Sequence, residues 1–368
     1  MKKYKFKNFL LLMLFATCIA NANTLIEKYP SYSYVFSEFD VDESYIYNES
    51  FEKYVLENEK KIKDFYNKTT YRGDYLLPMV KNYLIDDGLS DLLIYISMIE
   101  SGLNTDIVSR KNAVGLWQFM KATAKDYKLS ANEYFDERYD PVTSTKAAIE
   151  HLRRLHKKFG KWYLAIMAYN CGEGRLLKAI NKAGSDELQV LISNEDKYLP
   201  RETRDYIRKI LLISMIGESD MLDFSVSSPN SDMGVYEVEV SSSTKLKDLA
   251  TLLNMDFSNL CKLNKQYKNG IVPKSKNRYK IMIPEDKMFT FYMKYEDKFS
   301  SPKNKIVKPN FISHNVVLGD TIENLAKKYN SSIEEIMLAN NLKENFLTLD
   351  TLILIPVSKE LFEKILSE

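Results

Sequence analysis

The chain has 368 residues, of which 45% are hydrophobic and 28% charged, with a formal net charge of +2. That is ordinary for globular protein and long enough for two or three domains, and the balanced charge gives no global attraction to nucleic acid. His151, His156 and His314 share no metal-ligand spacing, and Cys171 and Cys261 fall in different expected domains, so neither a metal centre nor a disulfide scaffold is expected.

Residues 1–22 read as an export signal. Lys2, Lys3, Lys5 and Lys7 form its basic start, and Phe9 to Ile19 is an apolar stretch too short to span a bilayer as a helix. Ala20-Asn21-Ala22 is a small-x-small cleavage site, which would start the mature chain at Asn23. Cys18 would need a small residue before it and usually a Leu three before it to be lipidated. Thr17 and Phe15 stand there, so lipidation, and outer-membrane association with it, is the weaker reading.

Residues 23–70 are expected to form a helical extension packed on the domain that follows, with Phe51 to Tyr66 helical. Residues 71–222 read as one all-α domain. Ser90 is placed to cap the apolar helix that ends near Glu100. Asp140-Pro141 is a cap followed by proline in the first turn, and it opens a helix running to Gly160. Helices follow over Trp162 to Tyr169, from Glu173 to near Gly184, and over Thr203 to Gly217, where Ile207, Ile210, Leu211 and Ser214 keep helical spacing.

The pattern changes after a polar linker at 223–233. Residues 234–285 read strand (Tyr236 to Val240), helix (Leu246 to Leu253), helix (Phe257 to Leu263), strand (Tyr279 to Ile283). Lysines cluster between Lys262 and Lys308, read as a solvated face plus linker. A connecting segment at 286–311 leads to residues 312–357 and a second unit of the same order. Residues 358–368 are a tail. The two units read as beads on flexible linkers rather than a solenoid. The fold class is therefore mainly α: an all-α domain followed by two small α+β (βααβ) modules.

Glu100 is the residue that points to chemistry. It closes the run Leu92-Leu93-Ile94-Tyr95-Ile96-Ser97-Met98-Ile99, so its carboxylate sits at the edge of something buried. Desolvation raises a carboxyl pKa, and a Glu held protonated near neutral pH is a general acid. Most glycosidases use two carboxylates, and no second acid is evident beside this one in the sequence.

Three ordered motifs surround it. They are Glu100-Ser101-Gly102-Leu103-Asn104 with Ser109 and Gly115-Leu116-Trp117-Gln118-Phe119-Met120, then Ala168-Tyr169-Asn170-Cys171-Gly172-Glu173-Gly174-Arg175, then Glu202-Thr203-Arg204-Asp205-Tyr206. Together they resemble the lytic transglycosylases of the goose-lysozyme-like superfamily. The second small unit resembles a LysM module through Val316-Val317-Leu318-Gly319-Asp320-Thr321, Ala326, Tyr329, Asn340 and Leu354-Ile355-Pro356. The first is degenerate, with Ser243-Thr244-Lys245 in place of the Gly-Asp-Thr turn. The layout resembles the membrane-bound lytic murein transglycosylase D family.

The resemblance implies a lysozyme-like fold for the helical domain, a periplasmic location, no cofactor, and cleavage of the MurNAc–GlcNAc bond of peptidoglycan with 1,6-anhydroMurNAc ends. It implies Glu100 as acid and then base, Ser109 orienting it and Tyr206 reaching back toward it. It implies Gln118 gripping the substrate N-acetyl or sugar hydroxyls, Tyr169 as an aromatic wall, Met120 as wall or core, and Asn170 as a polar contact of the groove. Trp117 reads as core and Cys171 as an inert thiol. The partners implied are peptidoglycan glycan strands, with cell-wall regulatory proteins beyond them, and a monomer. The degenerate module reads as glycan binder or spacer. Two other functions stay open: a hydrolytic muramidase of the same fold, and a non-catalytic peptidoglycan-binding protein.

Overall fold

The computed structural model describes residues 25–222, 234–295 and 310–367, apart from positions 74, 194, 277, 341, 343 and 350. The expected export signal with Cys18 and the expected linker 223–233 lie outside the described residues. Among those described, no helix is long and apolar enough to cross a membrane. The chain divides into a first compact unit ending at Phe291 and a second starting at Tyr292.

The fold is mainly helical, as expected. In the helical domain, Trp162–Cys171 is apolar on all sides and runs through the core, with Tyr163 to Ala168 all buried, the position such a helix must take. Around it pack Pro141–Phe159 and Arg201–Leu222. Asp140 accepts hydrogen bonds from the amides of Val142 and Thr143 with Pro141 in the first turn, a cap worth about 1 kcal/mol. Ile207, Ile210, Leu211 and Ser214 are all fully buried, so the period read from sequence is the packed face.

The segment before residue 71 is part of this core. Leu25, Tyr29, Phe36, Phe39 and Ile46 join the same buried cluster, and the helix Glu49–Arg72 extends beyond the expected limits at both ends. Ser90 caps a single 3-10 turn, Asp91–Leu93, and the α-helix proper begins at Ile94. Trp117 is fully buried, and its indole N–H donates to Thr145 Oγ1 at 2.9 Å.

Each small module is an antiparallel strand pair with two helices. Val235–Ser241 pairs with Arg278–Pro284, and Asn310–Asn315 pairs with Leu352–Val357. An asparagine latches the second helix to the second strand in both. Asn264 Nδ2 donates to Met282 O and Asn264 Oδ1 accepts from the Met282 amide, each at 2.7 Å. Asn340 does the same with Leu354 at 2.7 and 2.8 Å. The first module has lost the Gly-Asp-Thr turn and kept the latch.

Three expectations need correction. The segment after 285 begins as a helix, Glu285–Lys294, and the tail forms the helix Lys359–Ser367. The first module is not a bead on a string: it packs on the helical domain, with Phe135 and Tyr267 stacked at 5.2 Å. A polar linker composition speaks only for the linker and carries no information about faces that meet across it.

Candidate active site

Glu100 sits in the last turn of Ile94–Ser101. Ile94, Ile96 and Met98 anchor that helix in the core. The helix stops just past Glu100 because Gly102 adopts a left-handed φ of +62° and its amide closes on Met98 O. Burial pushes the Glu100 carboxyl up to about 7. The electronegative end of its own helix acts in the same direction.

The helix Arg201–Leu222 faces this carboxyl. Tyr206 Oη donates to Glu100 Oε1 at 2.7 Å. That bond, and the Lys209 ammonium, favour the ionised form, whereas Glu202 opposes it. The Tyr206 phenol is itself held well above its usual range by burial and by Glu100, so it remains a donor. Glu202, Tyr206 and Lys209 stand at i, i+4 and i+7, one face of the helix.

The sequence reading missed Glu202 and Lys209. The absence of a second acid near Glu100 is corrected accordingly: Glu202 is an exposed carboxylate close enough to act on Glu100. Helical spacing from Tyr206 could have found both. Lys209 Nζ lies 5.2 Å from the Phe65 ring centroid, and burial with neighbouring Lys61 holds its pKa below the usual lysine range.

The loop 104–120 forms another wall. Ser109 Oγ accepts from the Ala113 amide at 3.0 Å while the Ser109 amide donates to Ala113 O at 2.9 Å. Among the described residues its bonds stay within this loop, and none reaches Glu100. Ser97 Oγ ties the Glu100 helix to the loop by donating to Leu116 O at 3.2 Å. Gln118 takes a left-handed φ of +49°. Its Nε2 donates to Gly115 O and Ile107 O at 2.9 and 3.2 Å, so its amide nitrogen braces the loop. The left-handed conformation costs a non-glycine residue about 1–3 kcal/mol and persists only where the surroundings hold it. Met120 is 44% exposed, so it is not a core residue.

Tyr169 donates its hydroxyl to Trp117 O at 2.7 Å, and Glu100 contributes to raising its pKa. His151 packs against Tyr169 at 5.2 Å and meets Tyr127 Oη through Nδ1 at 2.8 Å. Burial pushes its pKa down to about 4, so it is a neutral backing ring. Asn170 Oδ1 accepts from Thr203 Oγ1 at 2.9 Å, which joins its helix to that of Tyr206. Burial raises the Cys171 thiol pKa, the state of an unreactive cysteine. Among the described residues no group of three or more His, Cys, Asp or Glu side chains is arranged to hold a metal ion. The arrangement presents a carboxyl that keeps much of its proton near neutral pH, a phenol donor, the Tyr169 ring and a polar loop. Such a set can transfer a proton to a bound oxygen.

Three family models match segments of the chain. The Transglycosylase SLT domain matches residues 82–192, the "Lytic transglycosylase MltD, LysM-like domain" matches 235–298, and the LysM domain matches 314–356. The chain therefore carries a Transglycosylase SLT domain followed by two LysM-type domains. Membrane-bound lytic murein transglycosylase D of Escherichia coli (strain K12) is 26% identical over 295 residues, which is 76% of this chain and 63% of that protein. The chain thus spans less than two thirds of that relative. A peptidoglycan transglycosylase of Escherichia phage T7 is 33% identical over 33% of this chain and 9% of its own length. The crystal structure of the 70 kDa soluble lytic transglycosylase from Escherichia coli covers 39% of this chain and 24% of its own, at 22% identity and a TM-score of 0.33.

Proposed function

We propose that the chain is an exported lytic transglycosylase that cleaves the MurNAc-(β1,4)-GlcNAc bond of peptidoglycan in the periplasm, with the C-terminal LysM module holding it on the glycan. The observation that carries this reading is Glu100: an acid with its pKa raised to about 7, hydrogen-bonded by a buried tyrosine. Glu100 protonates the glycosidic oxygen as the C1–O bond breaks, and GlcNAc leaves as the alcohol. The ionised carboxylate then takes the proton of the MurNAc 6-hydroxyl while that oxygen bonds to C1. The acid is regenerated, no water is consumed, and a 1,6-anhydro ring closes.

The ring-closing hydroxyl is intramolecular, and a well-oriented intramolecular nucleophile is worth several kcal/mol, up to about 7–11. Tyr206 stabilises the carboxylate once the first proton has left. Ser109, whose hydroxyl proton is not used by its bond to Ala113, is placed in the same reading to orient Glu100. Gln118 offers its carbonyl oxygen to an N-acetyl N–H, and Tyr169, Met120 and Asn170 line the groove. No cofactor enters the scheme.

Glu202 favours a second reading, a hydrolytic muramidase in which that carboxylate activates water. Digestion of purified sacculi separates the two. The proposed reaction leaves chain ends that borohydride does not reduce and that are lighter by one water. Reducible ends would establish hydrolysis, and no soluble product at all would leave a binding protein.

A further inference from the structure

We infer that the first βααβ module is a positioning element of the active site, holding the loop 104–120 in place, and not a tether to the glycan. This rests on the assignment of Glu100 and that loop to the site. The module meets the helical domain through backbone as well as side chains. The Asp136 amide donates to Gln266 O at 3.0 Å, and the Lys268 amide donates to Tyr134 O at 3.2 Å. The ring of Tyr279 meets Phe135 edge-on at 5.6 Å, beside the Phe135–Tyr267 stack. Gln266 is 1% exposed, and its Nε2 donates to Asp140 Oδ2 at 3.0 Å. Asp140 is the cap of Pro141–Phe159, the helix that supplies Thr145 to Trp117.

From this seam two lines of contact run to the loop. Asp136, held by Gln266 O through its amide and by Lys268 at 3.5 Å, grips Arg138 through both carboxylate oxygens at 2.9 Å. Arg138 Nη1 then donates to Asn112 O and Phe119 O, both at 3.1 Å. Those two carbonyls bracket Gly115, Trp117 and Gln118. The second line is direct: Lys265 Nζ reaches Asp106 Oδ2 at 2.7 Å, at the start of the loop. Bidentate, buried arginine–carboxylate pairs are the strong and directional kind. The exposed Lys265 pair adds little energy by itself. A loop fixed this way places Gln118 and Ser109, and a displacement of about 1 Å near reacting groups can cost about 100-fold in rate.

The test uses the full chain with Gln266→Ala, which removes the buried bond from the module side, and Phe135→Ala, which removes the stack from the other side. Hydrogen exchange is followed at the amides of Ala113, Gly115 and Phe119. The rate constant kcat is measured on soluble glycan well below the unfolding temperature, together with retention on sacculi. Both variants should speed loop exchange and lower kcat by about 10-fold, a coupling in the usual range between linked sites. KM and retention should stay unchanged, and Phe135→Tyr should behave as wild type. Loop exchange and kcat unchanged, with only a lower Tm, would overturn the inference. So would loss of retention with kcat intact. If the wild-type chain cleaves nothing, the proposed reaction has failed, and the exchange rates still decide the coupling.

Discussion

Glu100→Gln should lower kcat for glycan cleavage by about 1,000-fold or more, because the general acid and base are lost together and each contributes about 10²–10⁴-fold. The substitution preserves shape and removes the titration. The folded pKa of about 7 lies above the ordinary 4.5. Between those values the folded state keeps a proton that the unfolded chain releases, so wild-type stability falls as pH rises through the window and levels off above it. The full shift corresponds to about 3 kcal/mol. Gln carries no such penalty. The variant should therefore match wild type near the acid end of the window and be more stable above pH 7, read as Tm against pH. A dead variant that is also less stable at high pH would mean that Glu100 is not buried at cost.

Gly115→Ala should be the most damaging small substitution in the loop. Gly115 has φ +78°, and a Cβ there would lie 1.9 Å from the backbone carbonyl oxygen of Arg138. The left-handed backbone alone costs an alanine about 1–2 kcal/mol, and the clash is with main chain, which cannot rotate away. A total of about 3 kcal/mol or more is expected, with kcat reduced as Gln118 and Ser109 shift. Gly184→Ala is the control: it is left-handed at φ +64° and ψ 15°, and nothing lies within 4 Å of a Cβ added there, so only the backbone cost applies. Chemical denaturation of the two variants compares them. Equal losses would remove the clash from the account.

Much of the site could be read before the fold. The apolar run before Glu100 announces a desolvated carboxyl on a helix that ends near it, and both are found. Trp117 reads as core, and it is fully buried. The modules follow from strand alternation and helical spacing, with Phe257–Leu263 matching the expected bounds.

What could not be read depends on direction or distance. Spacing puts Glu202 and Lys209 on the Tyr206 face but does not say where that face points, and all three lie beyond the matched SLT segment 82–192. The Gln266–Asp140 bond joins residues 126 apart in sequence, and no local pattern forecasts it. Ser90 looked like a helix cap because its side chain does cap a turn, only a 3-10 one. Gln118 read as a grip on the substrate, yet its amide nitrogen is engaged by loop carbonyls. Only the backbone conformation discloses that.

The central claim is that one carboxyl, still substantially protonated near neutral pH, serves as acid and then as base. Its most direct test is a carbon-13 titration of the glutamate side chains in the intact chain, with Glu100→Gln assigning the resonance. The account predicts a midpoint for Glu100 of about 7, moving upward in Tyr206→Phe because the bond that favours the carboxylate is gone. A midpoint in the ordinary carboxylate range, unmoved by Tyr206→Phe, would contradict it.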